Sequence, residues 1–194
     1  MIKQIVYTLI IILTMNKLQS QKNNLPFYEI PDHADSYHLG TVAARMVEGL
    51  GFRYYWATEG LREEDLVFRP NKEARNTEET IDHILGLSTV IVNATLKKVN
   101  EKKDFSKLTY VEKRSLTLHN LKTAADILRA SNDLDQFNII FKKENGTTEL
   151  PFWNMINGPI ADALWHCGQI VSFRRSTGNP YNSNASVLTG KVRN

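Results

Sequence analysis

The chain has 194 residues, of which 42% are hydrophobic and 23% charged, with a formal net charge of +3. That length and balance suit one globular domain with an ordinary buried core. The single cysteine, Cys167, excludes an intrachain disulfide framework and a cysteine-rich zinc module. The basic residues are scattered, without a Lys/Arg block or aromatic–basic interleaving, so no nucleic acid is expected as a partner.

Residues 1–20 read as a secretory signal. Lys3 precedes an apolar run from Ile5 to Met15, polar residues resume at Asn16-Lys17, and Ser20 offers a small residue for cleavage. The run is well short of the roughly 20 residues that a membrane-spanning helix needs. No cysteine follows it, which excludes a bacterial lipoprotein anchor. The expectation is export to the periplasm or the exterior of a bacterial cell, with no stable membrane span after processing. An uncleaved N-terminal anchor is the competing reading.

Residues 21–35, with Pro26 and Pro31, read as an extended lead-in. From Ser36 the pattern changes. Leu39, Val42, Ala43, Met46, Val47, Leu50, Tyr54, Ala57 and Leu61 recur at three- and four-residue steps, which predicts a long amphipathic helix. Gly49 and Gly51 weaken it locally and mark close packing. Glu63 to Arg75, punctuated by Pro70, reads as a loop. Asn76 and Glu79 form a capping-box pair. A second helix then carries Ile81, Ile84, Leu85, Ile91 and Val92 on its apolar side and ends in the charged segment 97–104.

A third helix is predicted from near Thr109 through Leu118, Leu121, Ala125 and Leu128, as far as Leu134. Asn145-Gly146 between apolar runs predicts a type I′ hairpin, its second strand limited by Pro151. A fourth helix is predicted from Met155 to Thr177, with Pro159 in its first turn and Gly178 closing it. The tail 179–194 reads as a polar surface meander. The fold expected is all-α, a four-helix bundle over residues 36–178 with a small β-hairpin before the last helix.

Of five histidines, two have informative surroundings. Asp162 and His166 lie four apart on the fourth helix, hence on one face, where two side chains converge on one ion. His83 lies on the second helix and supplies a third ligand if the two helices are neighbours. The plain alternative is a surface Asp–His pair and an ordinary boundary histidine. His33, His38 and His119 are read as structural or surface residues.

His83 on the second helix, followed by Asp162 and then His166-Cys167-Gly168-Gln169-Ile170, Arg174-Arg175 and Gly178, resembles the DinB/YfiT-like superfamily of bacterial four-helix metalloproteins. Leu66 to Pro70 ahead of Glu79 and His83 is similar to that family's run into its second helix. The resemblance spans roughly residues 36–178. It implies a site for one divalent transition metal (Zn, Fe, Mn or Ni) held by a second-helix histidine and a pair on the last helix. Asp162 stands where the family usually has a histidine, and Cys167 where it has arginine. Aspartate keeps a hard ligand in place and suits Fe(II), Mn(II) or Zn(II).

Three protein ligands leave positions for water or a small-molecule substrate, so hydrolysis and thiol-type transfer both stay open. A non-catalytic binding or scaffold protein with an altered or lost site is the rival reading, and an exposed face is available for a homodimer. Around the site, Glu79 is read as a helix cap rather than a partner of His83. Gln169 is read as facing either a bound water or a packing contact. Cys167 is read as a small buried hydrophobe. The three tryptophans are read as packing residues at the bundle ends, with one as a candidate roof to a pocket, and Arg174 and Arg175 as complements of the helix end in preference to contacts for an anionic substrate.

Overall fold

The computed structural model describes residues 25–193, so the expected signal segment at 1–20 lies outside the described residues. The chain is mostly helical. Four long helices, α1 (Leu39–Thr58), α3 (Thr77–Thr95), α4 (Tyr110–Arg129) and α6 (Ala161–Ser176), pack in a ring, α1 on α4, α4 on α3, α3 on α6 and α6 on α1. The predicted periodicity explains this. Leu50 and Tyr54 of α1, Ile81, Ile84 and Ile91 of α3, Leu118, Leu121 and Leu128 of α4, and Ile170 of α6 are all fully buried together. Among the described residues, no helix is long and apolar enough to cross a membrane.

The Asn76–Glu79 capping box forms. Asn76 Oδ1 accepts from the Glu79 N–H at 2.8 Å while the Asn76 N–H donates to the Glu79 carboxylate at 2.9 Å. Thr109 and Glu112 repeat the arrangement at the start of α4, whose last helical residue is Arg129, short of the expected Leu134. The segment read as loop from Glu63 opens with a short helix, α2 (Glu63–Val67), nucleated by three acidic residues in its first turn and the Asp65 side chain accepting from the Arg62 N–H at 2.7 Å.

The small sheet departs from the expectation in two ways. The hairpin β2 (Ile139–Lys143) and β3 (Gly146–Leu150) gains a third strand, β1 (Val99–Asn100), parallel to β2. Asn100 anchors it by donating to the Ile140 carbonyl at 3.1 Å and accepting from Asn93 at the end of α3 at 2.9 Å. The turn is not type I′. Lys143 pairs with Gly146, so Glu144 and Asn145 form the turn and both keep negative φ. The positive φ of 128° falls on Gly146, where no Cβ opposes it. The tail is not a plain meander either. Strands β4 (Ala185–Ser186) and β5 (Lys191–Val192) pair, and the Gly190 carbonyl accepts from the Ile30 N–H at 2.9 Å, tying the tail to the lead-in.

The last helix, α6, begins at Ala161 rather than at Met155, and Pro159 lies in the turn ahead of it instead of in its first turn. Pro151 ends β3 and caps α5 (Phe152–Met155), and a π turn, Ile156–Ile160, leads into α6. Pro159 lacks an N–H and pushes Gly158 before it out of the helical region, to φ −95° and ψ −108°.

A polar tie joins the ends of α1 and α6. The Arg174 guanidinium is buried and donates to the carbonyls of Trp56, Ala57 and Glu59 at 3.1, 3.0 and 2.9 Å. It therefore satisfies the open end of a different helix, not its own as the sequence implied. Beside it Asp65, fully buried, accepts from Arg62, from Thr177 and from Asn179 at 2.6 Å. Hydrogen bonding from Arg62 and Thr177 outweighs burial and holds the Asp65 carboxyl well below the usual carboxylate range.

Two outcomes test this packing. A Cβ on Gly40 would run into the backbone carbonyls of Leu128 and Ser131, whereas one on Gly86 meets nothing. Gly40→Ala is expected to cost about 2–3 kcal/mol, and Gly86→Ala to stabilise by up to about 1 kcal/mol, both read by urea denaturation. Asp65→Asn is expected to cost about 2–3 kcal/mol at neutral pH. Because the folded carboxyl titrates below its unfolded value, its contribution is present at neutral pH and lost as pH falls below about 4. Denaturation curves taken on either side of that point should show a smaller acid loss in Asp65→Asn than in the wild type.

Candidate metal centre

The helices α3 and α6 are neighbours, and they bring His83, Asp162 and His166 together. One ligand-capable atom from each lies within 4.8 Å of the others. His83 Nε2 is 3.1 Å from Asp162 Oδ2, and His166 Nε2 is 3.2 Å from Asp162 Oδ1. The imidazole rings meet edge to face, 4.6 Å between centroids at 88°. His166 is buried, while His83 and Asp162 are half-buried, so the cluster opens to solvent on one side. His83 sits nearly two turns into α3, and Asp162 is the second residue of α6, just after the π turn.

The ring orientations bear on chemistry. The Gln169 side-chain amide lies 2.7 Å from His166 Nδ1 and leaves Nε2 as the ring nitrogen that faces the Asp162 carboxylate. An imidazole held at one nitrogen and aimed with the other at a carboxylate is the arrangement of a hydrogen-bonded pair and equally of two ligands to one metal ion. Partial burial, with the charges of Arg75 and His166 adding to it, outweighs the pull of Asp162 and lowers the pKa of His83, favouring the neutral imidazole that ligation requires. Ligand atoms at about 2.0–2.2 Å from one first-row ion lie about 3–3.5 Å apart. Both Nε2-to-oxygen distances fall in that span, each to a different oxygen of Asp162, while the three ligand atoms as a set lie within 4.8 Å. The residues therefore fit a divalent ion held by two imidazoles and a carboxylate.

The surroundings correct or sharpen several expectations. Glu79 caps α3 and pairs with Arg69 at 2.8 Å, so it does not orient His83. Gln169 contacts the His166 ring itself. Cys167 is buried on the far side of α6, and burial pushes its thiol up to about 12. Trp56 is a core residue, but Trp153 and Trp165 are 75% and 73% exposed and pack no helix end. Arg175 stacks on the Tyr181 ring at 5.8 Å. His33 and His119 are exposed, and His38 precedes α1 as its N-cap.

Beside the triad lies a cleft of about 350 Å³ lined by Glu73, Ala74, Arg75, His166, Gln169 and Phe173. The ring of Phe68 packs on Phe173 at 5.7 Å and closes one wall. Glu73 and Arg75 were not legible as site residues. They lie in a polar loop, and only their position just ahead of the Asn76 cap could have drawn attention to them.

No family model and no curated protein matches the sequence. Among solved structures, the chain is similar to a DinB-like protein, YjoA, of Bacillus subtilis. The TM-score is 0.50 with 13% identical residues, over 69% of this chain and 92% of that one. Identity that low speaks for the backbone and not for activity. With its ring of long helices and small sheet, the chain has a DinB-like fold.

Proposed function

We propose that the chain is a four-helix-bundle protein that binds one divalent transition metal through His83, Asp162 and His166 and acts on a small molecule as a hydrolase or transferase. The observation that carries this reading is the convergence of His83, Asp162 and His166, one ligand-capable atom from each within 4.8 Å of the others, with the Gln169 amide on the outer nitrogen of His166. When bound, such an ion supplies Lewis acidity and lowers the pKa of a bound water or thiol. His83 and His166 supply neutral nitrogens from two helices. Asp162 supplies the single negative charge and spans both rings. Gln169 holds His166 at Nδ1 and keeps the ring aimed. The pairing of Phe68 with Phe173 shields one side from water, and the half-buried edge of His83 and Asp162 leaves the approach for substrate.

The same reading takes residues 1–20 as an export signal, on the strength of the apolar run behind Lys3. N-terminal sequencing of the protein recovered outside the cytoplasm should begin at Gln21; an intact Met1 would overturn this part.

Elemental analysis of protein purified without a metal-affinity tag tests the site. About one equivalent of zinc, iron, manganese or nickel is expected in the wild type, and His83→Ala and His166→Ala should lose it. Gln169→Leu should keep the stoichiometry but weaken affinity about 10–100-fold in competition with a chelating dye. A wild type that takes up no metal on reconstitution would favour the rival, a binding or scaffold protein without the chemistry.

A further inference from the structure

The cleft beside the triad is lined by a loop built more firmly than its exposure implies. Arg69 donates to the Ala74 carbonyl and, through Nη2, to both oxygens of Glu79 at 2.8 and 2.9 Å. Asn71 Oδ1 accepts from the Glu73 and Ala74 N–H groups at 3.0 and 2.9 Å. Asn76 then enters α3 through its capping box. The backbone on both sides of Arg75 is thus held, and its side chain shares the cleft with His166 and Gln169.

The charges in this cleft are not balanced among themselves. Arg69 is neutralised by Glu79. Arg75 forms no ion pair among the described residues, and Glu73, which lines the same cleft, is not within ion-pair reach of it. A divalent ion held by the one carboxylate of Asp162 leaves an uncompensated positive charge. Arg75 adds another, and Glu73 offsets only one of the two. A guanidinium presents a planar fork of donors that matches an oxyanion in two-point contact.

Resting on the metal reading above, we infer that the substrate of this site carries a small oxyanion, a carboxylate or a phosphate, bound between the open side of the His83–Asp162–His166 centre and the Arg75 guanidinium. Arg75 is then a specificity-determining residue, which selects the anion and orients the rest of the molecule along the cleft toward Phe173. Glu73 disfavours a second negative charge at the outer end.

The test is calorimetric titration of zinc-loaded protein, free of excess zinc, with inorganic phosphate in one arm and acetate in the other, with zinc stoichiometry measured on every sample. Wild type should bind at least one of the two anions, and the tighter arm identifies the source as a phosphate ester or a carboxylate. Arg75→Ala should weaken that binding about tenfold or more with zinc retained. Arg75→Lys should recover part of it, and Glu73→Gln should tighten it. Zinc bound but anion affinity equal in wild type and Arg75→Ala, or no anion binding to zinc-loaded wild type, overturns the inference and leaves the metal centre standing. No zinc in the wild type overturns the metal reading, and the inference with it, and is recognised from the stoichiometry alone.

Discussion

The buried guanidinium of Arg174 sets the relation between the two helices on which the rest depends. It spends its donors on three carbonyls at the open end of α1 and on Asn179 just past its own helix. A charge that cannot leave water without partners finds them only if α6 sits at one height against α1. Asp65, Arg62, Thr177 and Asn179 brace the same corner from the α2 side. Apolar packing alone would tolerate sliding along the helix axis, since one aliphatic ridge resembles the next. Directional bonds to named carbonyls do not.

The other end of α6 is set by covalent geometry. Pro159 and the displaced Gly158 force a π turn, which ends at Ile160, two residues before Asp162. Between these two fixed ends Asp162 and His166 keep their places while α6 rests on α3, and His83 meets them from the far helix. The candidate centre is thus a by-product of helix register, and side chains close to the ligands do only the last adjustment. Gln169 turns one ring, and the loop 69–75 places one cation beside it.

How much of this was legible in the sequence follows from the range of each interaction. Caps and apolar periodicity are local, and Asn76–Glu79, the helix start near Thr109 and the core faces of the long helices could be read directly. The pairing of Asp162 with His166 is equally local, one helical turn. The adjacency of α3 and α6 is not: His83 could be named as a third ligand only if the two helices touch, and the family resemblance supplied that condition. Features made by distant partners were misread or missed. Arg174 looked like a complement of its own helix end because nothing nearby in sequence names Trp56 or Ala57 as its acceptors. The β1 strand is two residues long and exists through a parallel partner forty residues on. The hairpin was placed correctly, but its turn slipped by one residue, because Asn-Gly signals positive φ without saying which side of the glycine the ladder resumes.

The contact between His83 and Asp162 joins positions 79 residues apart. In polymer terms, an ion lodged there is a cross-link that closes a long loop, and for a loop of this size the entropy removed from the unfolded chain is on the order of 4 kcal/mol by the relation used for disulfides. A chain with one cysteine cannot make an internal covalent staple of its own. The same three side chains that offer chemistry would then also fasten the molecule, so that loading with metal and resistance to unfolding would rise and fall together.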